Sequence, residues 1–182
     1  MQEPAIGFQR LTSIARGIVA CDAMAKAAPV NVVKAHPVCP GKFIILVSGE
    51  VDPVREAMKA GVYYAGHSLV DRMIIENLHE QVIPAVSAAT TVERIEAVGI
   101  IETFSLASTI LASDAACKAA EIKLIEIRLG TGLGGKGYVT FTGELHSVEA
   151  AIKGGTGAIE SGLLLRHEII PSPHADLSGK LV

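Results

Sequence analysis

The chain has 182 residues, 49% of them apolar, enough to build one sizeable domain or two small ones. Its formal charge of −3 and pI near 6.1 give no electrostatic basis for binding nucleic acid or an anionic membrane surface. With aromatics at 4% and no tryptophan, stacking platforms for bases are not expected either.

The opening residues, Met1-Gln2-Glu3-Pro4, lack the basic-then-apolar order of a secretory signal. The most apolar window, Val98 to Leu111, is interrupted by Glu102, Ser105, Ser108 and Thr109 and is too short to span a bilayer. Cys21, Cys39 and Cys117 form an odd, sparse set, which reads as reduced thiols of a cytosolic protein rather than a disulfide framework.

The chain repeats itself. Ala5-Ile6-Gly7 returns as Ala97-Val98-Gly99, and Asp22-Ala23-Met24-Ala25-Lys26-Ala27 returns as Asp114-Ala115-Ala116-Cys117-Lys118-Ala119, at an offset of 92. Gly41-Lys42 matches Gly135-Lys136, and Ser48-Gly49-Glu50-Val51 matches Thr142-Gly143-Glu144-Leu145, at an offset of 94. Val54, Ala57 and Lys59 pair with Val148, Ala151 and Lys153, and His79 pairs with His174. Two copies of one unit follow, residues 1–88 and 89–182, joined through the small residues Ser87-Ala88-Ala89-Thr90-Thr91.

Within each copy the elements run in a fixed order. A strand over Ile6 to Gln9 leads to Ser13, an N-cap, and to Ile14, Ile18, Cys21, Ala25 and Ala28 at helical spacing. Val30 to Ala35 is β-rich, and Phe43 to Ser48 is the next strand. Asp52-Pro53 places a capping carboxylate before a proline at the first helical position; that helix runs to about Gly66, and Leu69 to Ile75 makes the last strand. In the second copy Ser105 caps a helix carrying Leu106, Ile110, Ser113 and Cys117. Cys21 and Cys117 fall on the apolar faces of their helices and read as small buried hydrophobes. The order β-α-β-β-α-β predicts two tandem ferredoxin-like α/β domains, each a sheet covered by helices on one face.

The stretch His36-Pro37-Val38-Cys39-Pro40-Gly41-Lys42-Phe43 ends one strand, presents a cysteine and turns into the next. On its own, Cys39 has two readings, an ordinary loop thiol or a metal ligand, and one cysteine cannot build a metal site. The second copy carries Gly130-Thr131-Gly132-Leu133-Gly134-Gly135-Lys136-Gly137 here, which contains both G-x-x-x-x-G-K and G-x-G-x-x-G. Both nucleotide motifs require the loop to feed a helix; this one feeds the strand Tyr138-Val139-Thr140-Phe141, with Gly137 in place of the magnesium-binding Ser/Thr. No Ser-His-Asp set or local His/Glu metal pair stands out, so no enzyme is expected.

Ala5-Ile6-Gly7, Thr12-Ser13-Ile14-Ala15-Arg16-Gly17, the Asp22-to-Ala28 run, Gly41-Lys42 and Ile170-Pro171-Ser172-Pro173-His174 together resemble the shell-protein domain of bacterial microcompartments. Two fused copies resemble the tandem-domain shell proteins that trimerise into pseudohexameric tiles. The Pro-Val-Cys-Pro-Gly-Lys turn is similar to that of the cluster-bearing trimers of propanediol-utilisation shells.

The resemblance implies a homotrimer in a cytoplasmic microcompartment shell, whose partners are other shell proteins and a lumenal or cytosolic redox protein. It implies that three copies of Cys39 meet at a central pore and bind one [4Fe-4S] cluster per trimer, the fourth iron taking a non-cysteine ligand. It assigns Val38, Pro40, Gly41, Lys42, Gly132, Leu133 and Gly134 to the pore lining, and Lys26, Lys118, His79 and His174 to the tile edge. The family's Pro-Arg-Pro-His is replaced by Asn77-Leu78-His79 and Ser172-Pro173-His174, so the usual arginine contacts at the edge are missing. Two other readings stay open: a cluster-free metabolite pore and a ferredoxin-like regulatory trimer that binds a small effector.

Overall fold

The computed structural model describes residues 4–181, in two compact units that divide between Leu78 and His79. The division differs from the expected joint at 88/89, because the segment after His79 packs with the second half.

Unit 1 contains β1 (Ala5–Leu11), α1 (Ile14–Ala27), β2 (Asn31–Val38), β3 (Lys42–Gly49), α2 (Val51–Ala65) and β4 (Leu69–Ile75). Its sheet has the order β2-β3-β1-β4, with every neighbouring pair antiparallel. That order follows from the β-α-β-β-α-β succession: a helix separates β1 from β2 while a tight hairpin joins β2 to β3. The two helices pack on one another and on the sheet. Leu11, Met24, Phe43, Ile45, Val47, Val54 and Met58 fill the core between them.

Ser13 caps α1 as expected, its hydroxyl accepting from Arg16 N at 3.2 Å. The face that α1 buries is not the expected one. Gly17, Ala20 and Met24 point inward, whereas Ile14 and Ile18 are exposed and Cys21 is half-buried. Gly17 is needed because the ring of Phe43 lies across it; an added Cβ would stand 2.4 Å from that ring. Asp52 is not the cap of α2 either. Glu50 occupies the N-cap without a side-chain bond, and Asp52 sits in the first turn beside Arg55, where a carboxylate still complements the helix dipole.

Unit 2 repeats the plan with β5 (Ala97–Thr103), α4 (Leu106–Ala119), β6 (Lys123–Leu129), β7 (Gly137–Gly143), α5 (Leu145–Gly157) and β8 (Leu164–Ile170), in the order β6-β7-β5-β8. Ser105 caps α4, accepting from Ser108 N, and Leu106, Ile110, Ser113 and Cys117 are all buried as expected. The Gly17–Phe43 contact is inverted here. Thr109 takes the helix position and Gly137 the strand position, where a Cβ would meet Thr109 Oγ1 at 2.3 Å. The helix–strand spacing is kept by exchanging which side carries the bulk.

Two short helices complete this unit, α3 (Val82–Val86) before β5 and α6 (Ala175–Leu181) after β8. The segment around α3 covers the edge strand β6. His79 N donates to Asp114 Oδ1 at 2.8 Å. Gln81 donates from Nε2 to Ile122 O and accepts from Leu124 N at Oε1, both at 2.9 Å. Thr90 Oγ1 donates to Ile125 O. Side chains thus satisfy backbone groups that an open sheet edge would leave to water. Among the described residues no helix is long and apolar enough to cross a membrane.

Candidate functional site: two unlike hairpin tips

The positions of interest are the tips of the β2–β3 and β6–β7 hairpins, one in each unit. In the first, Pro37 pairs with Phe43 and Val38 with Lys42, so Cys39-Pro40-Gly41 alone form the turn. The Cys39–Pro40 bond is cis and Gly41 adopts φ +67 with open space where a side chain would be, so glycine is required there by backbone conformation and not by crowding. The Cys39 thiol is exposed, whereas Cys117 is buried. Burial, followed by the Asp114 carboxylate, pushes the Cys117 thiol up to about 12; burial also raises Cys21. Cys39 is therefore the thiol placed to meet a metal or an electrophile.

Pro40 and Gly41 are exposed and Lys42 is half-buried. The Val38 side chain is 5% exposed and is buried within the single chain.

In the second unit Leu129 pairs with Gly137, leaving residues 130–136 as a loop two residues longer than its counterpart at 38–42. Gly130, Gly132, Gly134 and Gly135 all take positive φ, and Gly130 N donates to Lys136 O across the neck. The loop delivers the chain into β7, so the helix N-terminus that either nucleotide motif needs is not there. Gly132 and Gly134 are exposed and Leu133 is half-buried.

Charged groups missed in the sequence brace this tip. Lys136 Nζ reaches Glu102 Oε1 at 2.6 Å. Tyr138 donates to Glu126 Oε1 at 2.6 Å, while Arg128 holds the other oxygen of the same carboxylate. Burial and the Glu126 bond push the Tyr138 phenol up to about 12, keeping it a donor. Alternation along β6 and β7 could have placed Glu126, Arg128 and Tyr138 near this end, but not their pairing.

Among the described residues no three His, Cys, Asp or Glu side chains of one chain come together as a metal site. Lys26 and Lys118 occupy equivalent helix positions, each in an i,i+4 pair at 2.6 Å, with Asp22 and Asp114 respectively. His79 takes part in the intrachain contact to Asp114 through its backbone. His174 is exposed beside Asp176.

The family model for the BMC domain matches residues 5–78 and again residues 97–173. The chain belongs to the bacterial microcompartment shell-protein family. It is a tandem BMC-domain protein, 40% identical over 179 residues to the bacterial microcompartment shell protein PduT of Citrobacter freundii, a match that covers 98% of this chain and 97% of that one. A crystal structure of a microcompartment protein from Desulfitobacterium hafniense superposes with a TM-score of 0.93 at 49% identity, covering 97% of this chain and 99% of that one. Single-domain relatives match one half only: the bacterial microcompartment shell protein EutM of Salmonella typhimurium is 39% identical over 84 residues, 45% of this chain and 84% of that protein. The fused permuted hexameric shell protein MSM0275 shares the fold at 21% identity and a TM-score of 0.61. The tandem BMC-domain chain is thus a structural shell protein of the PduT type, and its setting is the microcompartment shell in the cytoplasm.

Proposed function

We propose that three copies of this tandem BMC-domain chain close into a pseudohexameric facet tile and that Cys39 of each copy holds one [4Fe-4S] cluster at the central opening. The observation that carries this reading is the placement of Cys39: an exposed thiol at the tip of a short hairpin turn, in a chain with no ligand cluster of its own among the described residues. A donor so placed gains partners only from other copies, and cyclic symmetry supplies them at no further cost in sequence.

The donor set fits the group. Iron–sulfur clusters favour thiolate, three chains offer three, and a non-cysteine ligand completes the fourth iron. When bound, the cluster supplies one-electron transfer between the two faces of the shell, or is itself delivered across it to a redox protein. Gly41 lets the tip turn tightly enough to present the thiol outward. The glycine loop 130–136, alternating with the cysteine tips, narrows the opening, and the Lys136–Glu102 pair holds its root in place. Lys26, Lys118, His79 and His174 are assigned to the edges that meet neighbouring shell proteins.

Anaerobic purification tests this directly. Brown protein with iron and acid-labile sulfide at one cluster per trimer is expected, and Cys39→Ser is expected to lose both while remaining a trimer. A colourless, iron-free wild-type trimer after anaerobic reconstitution would refute the cluster and leave a plain metabolite pore.

A further inference from the structure

In unit 1 the helix-side face of β4 is left open. α2 settles onto β1, where Gly7 and Gly61 give it room: a Cβ at Gly7 would stand 2.7 Å from Met58, and one at Gly61 2.6 Å from Gln9 Nε2. β4 is the next strand, and the sheet ends there. Gly7 pairs with Ile74 and Gln9 with Arg72, so Ile74 and Arg72 share the face that α2 covers, one strand further out. The result is a groove of about 660 Å³ between the flank of α2 and the sheet edge, inside the range of roughly 300–1,000 Å³ occupied by small-molecule sites.

Helical spacing puts Arg55, Lys59, Val62 and Tyr63 on one wall, and Arg72 and Ile74 form the other. The surface between them is mainly apolar. Tyr63 is 80% exposed and Ile74 38%, and Tyr64 meets the Tyr63 ring edge-on at 5.2 Å, which steadies it. The cations do not all find partners nearby. Arg55 is engaged by Glu76 at 2.7 Å and Lys59 by Glu56 at 3.4 Å, both carboxylates lying outside the groove. Arg72 is exposed and makes no hydrogen bond or ion pair with the described residues.

Unit 2 has the same elements without these groups. Glu149 stands in the place of Arg55, Thr156 of Val62, Gly157 of Tyr63 and His167 of Arg72; Lys153 and Ile169 alone keep the residue type of Lys59 and Ile74. One wall has lost its ring and exchanged a cation for an anion. The shared fold therefore closes without a cationic, aromatic groove, and unit 1 carries one for a reason other than folding.

We propose that the α2–β4 groove of unit 1 binds a small organic anion, an apolar aromatic body carrying one acidic head group, carboxylate or phosphate. The body lies against Val62, Ile74 and the face of Tyr63, where it takes apolar surface out of water. The head group meets Arg72, whose planar fork of donors matches either oxyanion in two parallel hydrogen bonds. Lys59 at the rim adds a second positive charge, and its weak pairing with Glu56 leaves it able to turn inward. This inference depends on neither the trimer nor the cluster.

The full chain is titrated with anilinonaphthalene sulfonate, an aromatic anion that fluoresces on apolar surfaces, and with its uncharged analogue phenylnaphthylamine. Arg72→Gln is expected to weaken the anion at least about tenfold and the uncharged dye less than about twofold, because only the anion loses a hydrogen bond to a charged group. Tyr63→Gly, which copies unit 2, is expected to weaken both dyes. Both side chains are exposed, so neither change disturbs the core. Naphthoate and naphthyl phosphate are then expected to displace the sulfonate, the stronger competitor naming the head group. Displacement by neither would overturn the proposal. So would anion binding that survives Arg72→Gln, or that is lost instead in Ile18→Ser on the exposed side of α1. A wild-type protein whose groove admits neither dye, because a second copy covers it, would overturn it as well.

Discussion

Replacing Gln81 by Ala removes a side chain that bridges two backbone groups at the start of the β6 edge. Both bonds are 2.9 Å long, one to Ile122 O and one from Leu124 N. Each hydrogen bond of this kind is worth about 0.5–1.5 kcal/mol net, so the loss is about 1–3 kcal/mol. Because β6 is an edge strand, the loss falls on local opening before global unfolding. At tenfold per 1.4 kcal/mol, the Leu124 amide should exchange with solvent roughly 5- to 150-fold faster, while amides of central β5 and β7 should change little. Gln81→Glu keeps the acceptor and loses the donor, and it sets a carboxylate against the Ile122 carbonyl, so it should not rescue. Hydrogen exchange at single-residue resolution reads all three proteins. A Leu124 rate unchanged by Gln81→Ala, or an equal acceleration throughout unit 2, would refute the idea that this side chain seals the edge.

Gly7 and Gly99 are equivalent, yet a methyl group at Gly99 would lie 2.3 Å from the fully buried Phe141 ring, whereas at Gly7 it meets the flexible Met58 side chain at 2.7 Å. Gly99→Ala should therefore cost about 1–3 kcal/mol and Gly7→Ala less, by urea denaturation; the reverse ranking would contradict the packing argument. In metal-free native protein at pH 8, an alkylating reagent should label Cys39 first, Cys21 more slowly and Cys117 only on unfolding, as their burial and raised pKa values require. Mass spectrometry that finds Cys117 labelled as fast as Cys39 would count against the structure. Burial, then the Lys34 charge, holds His36 below its ordinary value of 6.5, so the folded chain prefers the neutral ring. The contribution is present above pH 6.5 and is lost as pH falls below it, since the unfolded chain then binds the proton first. Urea midpoints at pH 8 and pH 5 should differ less for His36→Gln than for the wild type, and an equal difference would exclude His36 as the source.

Much of this was legible in the residues. The duplication, the strands at Phe43 and Leu69, the serine caps and the failure of the glycine loop as a nucleotide site all follow from local patterns that the fold does not override. The inward face of α1 was not legible. Its sequence is apolar on two sides, and periodicity cannot tell the stripe of Gly17, Ala20 and Met24 from that of Ile14 and Ile18. Small residues won because Phe43 needs the room. The cap of α2 was misplaced by two residues because Asp52-Pro53 is also acceptable inside a first turn. Five residues containing Pro84 carry too little periodicity to announce α3. The seat of Gln81 depends on a strand more than forty residues away, which no local pattern encodes. Cys39 was visible as a loop thiol, but among the described residues no three metal-ligating side chains gather, so no local pattern assigns it a ligand role.

The way residues 79–90 adhere to β6 bears on any attempt to take the protein apart. A recombinant fragment begun at Ala97, where the second domain match starts, would leave the Ile122–Ile125 backbone uncapped and Leu124 wet, an invitation to aggregate. A fragment begun at His79 would bring its own lid, and that is where a modular graft of this half should be cut.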